Sequence, residues 1–327
     1  MDNLVQEALS LYNFNNPTLQ FIRHNENMTY KVVDGEQSYA LRIHKPVEGF
    51  SLSIYDVDNE RKKQIESEMN ILDFLSGNPY KLIQKPVINK KGDLVSVLSD
   101  GSPVTVLKWI EGNDLNKSDI SEATAMKIGY LIAWLHQKSD SLINHLKIKN
   151  TNHEINRYRY DQQLLKKVEE QIIIAVSKDQ IKKEHESIIL NTLRIIEKRM
   201  DELESVPDMK GFVHADLSPS NLIVSDKEIA PIDFSLSGYG YFYMDIGMIL
   251  SNYNDHETRV SIKKGYEDIM GIEIPVCYID AFFSLGVLLF IACQHDKASK
   301  EDWFNSAVVR WCSTIFTPII EGKPVSI

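Results

Sequence analysis

The sequence predicts an α+β chain folded as two lobes around a cleft. The first is a small lobe of antiparallel strands plus a helix over residues 1–110; the second is larger, mainly helical, and covers 111–327. Three observations predict this. β-prone runs around an Asp34-Gly35 turn crowd the first hundred residues, helical periodicity takes over after Asn113, and 327 residues suffice for two modest lobes.

In chain order, Leu4, Ala8, Leu9, Leu11 and Tyr12 mark a short amphipathic helix within residues 1–14. Leu19–Phe21 gives way to a polar stretch at 23–28. Thr29–Val33 and Gln37–Ile43 then flank Asp34-Gly35, a pair suited to a two-residue hairpin. From Asn59 to Leu75, Ile65, Met69, Leu72 and Leu75 form one apolar stripe, and Gly77-Asn-Pro79 ends the helix. Pro86–Ile88 is expected to pair with Leu94–Leu98 across Lys91-Gly92-Asp93. Val104–Leu107 continues as a strand into Lys108–Gly112.

Beyond Asn113, Ser121 is an N-cap candidate for a helix striped by Met126, Ile128, Leu131, Ile132 and Leu135 and ending near His136. Residues 150–198 are richly charged, with helical runs at 162–176 and 183–203, and further helices are expected over 257–270, 275–298 and 301–320. Tyr278, Phe282, Phe283, Trp303, Phe304 and Trp311 read as core packing, with the lining of a binding site as the alternative.

The chemistry concentrates in Gly211–Gly247. Asn221–Val224 is a short strand, residues 225–228 turn, and Ile229–Ile232 returns to deliver Asp233. Asp216 offers a carboxylate able to accept a hydroxyl proton, and Asn221 and Asp233 offer hard oxygen ligands suited to Mg²⁺; phosphoryl transfer needs this set. His214-Ala-Asp216-Leu-Ser-Pro-Ser-Asn221 matches H-x-D-x-x-x-x-N, and Asp233-Phe-Ser235 stands where kinases carry D-F-G, 17 positions after Asp216. On these residues the chain resembles the aminoglycoside phosphotransferase, choline kinase and homoserine kinase group, small-molecule kinases with a protein-kinase-like fold.

The resemblance implies ATP as donor, Mg²⁺ as metal, Asp216 as catalytic base, and Asn221 and Asp233 as metal ligands. Arg42 stands where the family's third strand carries a lysine. It keeps the charge and adds a bidentate fork, so it is the implied clamp on the α- and β-phosphates, with Lys45 the alternative. Glu68 falls where a helix glutamate pairs with that cation. Asn27 and Thr29 belong to the loop that would cover phosphates, which here contains no glycine and relies on asparagines that tolerate left-handed backbone. Lys108 C=O and Ile110 N–H are the implied adenine contacts, with Leu107 packing behind them. Asp245 is implied as the anchor of the catalytic loop, and His214 and His136 as structural braces.

Ala215 precedes Asp216 where regulated protein kinases place arginine, and 12 positions separate Asp233 from Asp245, too few for a peptide-docking segment. A small hydroxylated acceptor is therefore expected: an amino alcohol, a sugar or an aminoglycoside-type antibiotic. A stress-response Ser/Thr protein kinase and a non-catalytic nucleotide-binding module are the alternatives. Net charge −10 argues against nucleic acid as partner. Three scattered cysteines and no secretory pattern at residues 1–14 point to the cytoplasm. The most apolar run, Ala281–Cys293, is too short to span a membrane. Monomer and homodimer are both compatible with the sequence.

Overall fold

Gly35, with its positive φ of 62°, closes the tight hairpin whose strands meet at the Asp34–Gln37 pair, and the small lobe is built around it. The computed structural model describes residues 2–48, 53–55, 61–115, 120–149, 156–225 and 228–327. After helix α1 (Asp2–Ser10) come the strands β1 (Thr18–His24), β2 (Met28–Asp34) and β3 (Gln37–Ile43). Helix α2 (Arg61–Ser76) follows, then β4 (Ser96–Val97) and β5 (Pro103–Lys108). The strands form one sheet in the order β1-β2-β3-β5-β4, antiparallel throughout.

Strand alternation sorts β3 onto two faces. Leu41 and Ile43 pack with Val5, Ala8 and Tyr12 of the α1 segment. Ala40 packs with Ile65, Met69 and Leu72 of α2, so Arg42 two residues on faces that same side. The expected start of α2 at Asn59 lies outside the described residues.

The expected pairing of 86–88 with 94–98 is not found. Both segments lie along one edge of β5 instead: Ser96 opposes Val104, Pro86 opposes Leu107, and Val87 N–H donates to Val106 C=O (2.8 Å). Pro86 has no N–H with which to build a ladder of its own. The turn survives as Asn89 N–H to Asp93 C=O (2.8 Å).

The larger lobe begins with β6 (Asn113–Asp114), α3 (Glu122–Gln137), α4 (Ser139–Lys149), β7 (Tyr158–Arg159), α5 (Gln162–Ser177) and α6 (Lys183–Glu204). It continues through β8 (Lys210–Val213), β9 (Leu222–Val224), β10 (Ile229–Pro231), β11 (Gly238–Tyr241), α7 (Phe242–Leu250) and α8 (His256–Met270). It closes with α9 (Val276–Ala298), α10 (Asp302–Trp311) and α11 (Thr317–Ile320). Ser121 caps α3 as expected, its Oγ accepting from Thr124 N–H (3.2 Å). Helix α4 is an element that periodicity did not signal.

Two three-stranded sheets, β10-β9-β6 and β7-β11-β8, frame the stretch 211–247. Helix α9, at 23 residues, is long and apolar enough to cross a membrane, yet 61% of its most apolar window is buried inside the protein. Asp280 near its start accepts from Ser326 N–H (2.8 Å) and Ser326 Oγ (2.6 Å), fastening the C-terminal segment.

Candidate active site

Strand β8 delivers the loop that carries Asp216, and a carboxylate from α7 fixes its shape. Asp245 accepts from His214 N–H (2.8 Å), Ala215 N–H (2.7 Å) and the His136 ring (Nε2, 3.1 Å). Ala215 sits in left-handed backbone (φ 61°), which costs about 1–3 kcal/mol unless its surroundings impose it. The Asp245 bonds impose it here. Burial pushes the Asp245 carboxyl up, but the hydrogen bonds from the His136 ring and the His214 backbone N–H win and hold it below the usual carboxylate range.

His136 stacks on Phe242 (4.4 Å) and its Nδ1 pairs with Tyr266 Oη (2.9 Å), so it braces the loop from behind. His214 packs against Phe234 (4.4 Å) with its Nε2 at Ile232 C=O (3.2 Å). Burial lowers its pKa despite Asp245 and Asp233, leaving a neutral spacer.

The loop places Asp216, Asn221 and Asp233 around one cleft of about 360 Å³. Asn221 Nδ2 donates to both Asp216 Oδ2 and Asp216 C=O, each at 2.9 Å. That commits the amide nitrogen and leaves the carboxamide oxygen for a cation. Burial, followed by the negative charge of Asp233, pushes the Asp216 carboxyl up to about 8, against the Asn221 hydrogen bond.

Asp233 adopts left-handed backbone (φ 63°) and points both oxygens at arginines: Oδ1 at Arg42 (3.1 Å), Oδ2 at Arg23 (2.7 Å). Burial raises its pKa, and the two guanidiniums outweigh burial to bring it below the usual range. Arg42 in turn donates to Glu68 at 2.7 Å, a pair with side chains only 7% and 2% exposed. Lys45, by contrast, is half-exposed and paired with Asp100 (2.9 Å).

The loop above the cleft supplies Asn27 and Glu26 to its lining, and Thr29 joins them from the start of β2. Asn27 is buried, and its Oδ1 has no partner among the described residues. Burial and then the Asp233 charge raise the Glu26 pKa. At the connection between lobes, Leu107 is buried and Lys108 N–H is taken by Lys85 C=O (2.8 Å). Among the described residues nothing donates to Lys108 C=O or accepts from Ile110 N–H. Ile110 packs on Ile223 and Ala230, with Leu82 and Ile232 beside them, an apolar floor beneath those free backbone groups.

Sequence reasoning missed several residues that the fold brings here. Arg157, buried, donates to Ser237 C=O (2.7 Å), Phe234 C=O (2.8 Å), Ser235 C=O (2.6 Å) and Gln64 C=O (2.9 Å), tying the loop after Asp233 to α2. It stood in a charged stretch with no motif around it. Arg23 and Glu26 carried no signal beyond polarity. Of the aromatic group, Phe282, Phe283 and Phe304 are core, while none of the six lines the cleft. Phe290 does, with Trp303 (6.2 Å) and Trp311 (6.0 Å) behind it.

The donor set fits a hard divalent ion. Among the described residues no three His, Cys, Asp or Glu side chains converge, so Asn221 and Asp233 would hold such an ion with oxygens of phosphate and water completing its shell.

This fold and this site define a kinase-like phosphotransferase for small molecules. The sequence profile of the phosphotransferase enzyme family, APH, matches residues 18–272, and the chain belongs to that family. An amicoumacin kinase of Bacillus subtilis (strain 168) is 25% identical over 258 residues, which cover 77% of this chain and 68% of that protein. Among solved structures, a microcompartment-associated aminopropanol kinase superposes with a TM-score of 0.74 at 20% identity, covering both chains fully. An amicoumacin kinase, hAmiN, in complex with AMP-PNP, Ca²⁺ and Ami gives 0.72 at 21% identity, over 99% of this chain and 94% of that one. A choline kinase from Cryptosporidium parvum Iowa II gives 0.61 at 14% identity, over 98% and 94%. The bilobal α+β fold is common to them all, and the protein is an enzyme that transfers phosphoryl groups to alcohols.

Proposed function

We propose that this chain moves the γ-phosphoryl group of ATP, with Mg²⁺, to a hydroxyl of a small molecule. The acceptor oxygen bonds the γ-phosphorus, the bond from that phosphorus to the β,γ-bridging oxygen breaks, the hydroxyl proton passes to Asp216, and ADP departs. Asp216, held by Asn221, orients the hydroxyl; the loose transition state asks for position more than basicity. Bound Mg²⁺ supplies charge neutralisation at the phosphate oxygens, with Asn221 and Asp233 as its protein ligands. Arg42, fixed by Glu68, clamps the α- and β-phosphates, Asn27 and Thr29 cover them, and Lys108 C=O with Ile110 N–H read the adenine edge.

One observation carries this reading. Asp216 and Asp233 line the same cleft, with Asn25, Glu26 and Asn27 of the β1–β2 loop lining it too and the buried Arg42 on Asp233.

The opposite wall informs the acceptor. Tyr55, Leu236, Met248, Leu289, Phe290, Cys293 and Gln294 line it, and none is charged. That wall supports an acceptor with an apolar body near its hydroxyl over a polycation. The short, pinned segment after Asp233 supports a small acceptor over a peptide, since β11 pairs with β8 from Gly238 to Tyr241 and α7 follows directly. The names of two relatives place amicoumacin and aminopropanol in the first screen, beside sugars and aminoglycosides.

The test is ATP consumption across that panel by the wild type and by Asp216→Asn. Turnover with one class, lost in the variant while nucleotide affinity stays near wild type, is the expected result. Wild-type turnover in Asp216→Asn would sink the base assignment, and label appearing on protein Ser/Thr with no small-molecule turnover would replace the acceptor class.

A further inference from the structure

Strand β1 is exposed along most of its length, yet it ends by sending Arg23 into the cleft. A β-bulge makes this possible. Phe21 opposes Tyr30 on β2, but Arg23 opposes Thr29, so Ile22 is an extra residue on β1. Bulges re-aim side chains in this way. The shift puts Arg23 on the face of Thr29, which in turn opposes Arg42 on β3. A row Arg23–Thr29–Arg42 therefore crosses three strands over the cleft.

The two ends of that row are held differently. Arg42 is buried and locked to Glu68 at 2.7 Å, so it keeps its place whether or not Asp233 remains its partner. The Arg23 side chain is 45% exposed, and Asp233 is its sole ion-pair partner among the described residues. Any cation that claims Asp233 releases Arg23 and leaves Arg42 in position. Arg23 is also near enough to Asp216 for its charge to favour the carboxylate there. It thus stands between the carboxylate read as a metal ligand and the carboxylate read as a base.

We propose that Arg23 is a phosphate ligand of the cleft, exchanging Asp233 for the γ-phosphoryl group when a metal-bound nucleoside triphosphate enters. This rests on the reading of Asp216 and Asp233 given above. A guanidinium presents a planar fork that matches two phosphate oxygens, and it is already charged and placed where negative charge spreads during transfer. The ion pair with Asp233 keeps the fork aimed into the cleft beforehand.

Isothermal titration with Mg²⁺ and either AMP-PNP or ADP, on wild type, Arg23→Ala and Arg23→Lys, tests this. The expected result is a loss of about tenfold or more for AMP-PNP in Arg23→Ala, less than about twofold for ADP, and partial recovery in Arg23→Lys. The exposed position keeps the variants folded, which a melting curve verifies. Equal losses for both nucleotides, no loss, or tighter AMP-PNP binding would overturn the proposal, because Arg23 would then merely occupy Asp233 in the nucleotide-free protein. A wild type that binds neither nucleotide overturns the underlying reading of the cleft, independently of Arg23.

Discussion

Arg42 uses both tines of its fork, NH1 on Glu68 and NH2 on Asp233, which a lysine's single ammonium does with less directional control. Buried pairs of this kind add little net stability while intact, but removing one partner strands the other. Glu68→Ala should therefore destabilise the protein by about 3 kcal/mol, the lower end for a broken buried pair, because Asp233 continues to neutralise Arg42. Urea unfolding measures this, and a change below about 1 kcal/mol would show that Arg42 is secured elsewhere. Asp245 makes a pH-dependent contribution with a definite sign. Its folded pKa lies below the usual value, so its stabilisation is present above the unfolded carboxylate pKa of about 4 and is lost as pH falls through the folded pKa. Asp245→Asn should be less stable than wild type at pH 7, and the gap should narrow as pH drops below about 4. Melting temperatures from neutral to acid pH test it; a constant gap would mean that the charge of Asp245 is not what holds the loop.

At the scale of elements, α3 and α8 cross so closely that glycine is required on both. A Cβ on Gly129 would lie 2.2 Å from Ile262 C=O and 2.5 Å from Tyr266 N, and one on Gly265 would lie 2.3 Å from Met126 C=O. In an isolated helix Gly→Ala stabilises by about 1 kcal/mol. Gly129→Ala should do the opposite, because backbone cannot give way as a flexible side chain can; a loss of about 1–3 kcal/mol is expected by thermal or chemical unfolding. A stabilised Gly129→Ala would mean that the helices separate at little cost. The glycines themselves gave no hint of this in the sequence, since the residues they press against lie more than 130 positions away. Elements whose chemistry is local were legible: the Asp34-Gly35 turn, the Ser121 cap, and the loop from His214 to Asn221. Helix α4 was not, because it follows α3 almost without a break and only Leu142 and Leu146 of its residues are buried apolar ones. Arg157 and Arg23 were invisible for the same reason as the glycines. Arg157 finds its carbonyls 77 to 93 positions away, and a bulge that no residue type marks decides where Arg23 points.

For the molecule as a whole, the two lobes share a core. Ala40, Ile65, Met69, Leu72 and Leu107 from the sheet side pack in one cluster with Leu135, Leu142, Leu146, Phe212 and Phe234 from the helical side. Arg157 adds a bond from the larger lobe to Gln64 of α2, and Arg42 one from β3 to Asp233. Walls joined this way keep Arg42, Asn221 and Asp233 in register without waiting for a domain to close. They also make the lobes depend on each other for stability. Leu142 is fully buried in that cluster on the helical side, so Leu142→Ala leaves a cavity that both lobes must feel, at a cost of about 2–5 kcal/mol. The wild type should unfold in one cooperative transition, and Leu142→Ala should move that transition to lower temperature as a unit, with probes in the sheet lobe and in the helical lobe reporting the same midpoint. Trp109 at the lobe connection and Trp311 in α10 are natural reporters if examined one at a time. Midpoints that diverge between the two, with the helical lobe alone shifted, would mean that the shared cluster is an interface between independent bodies.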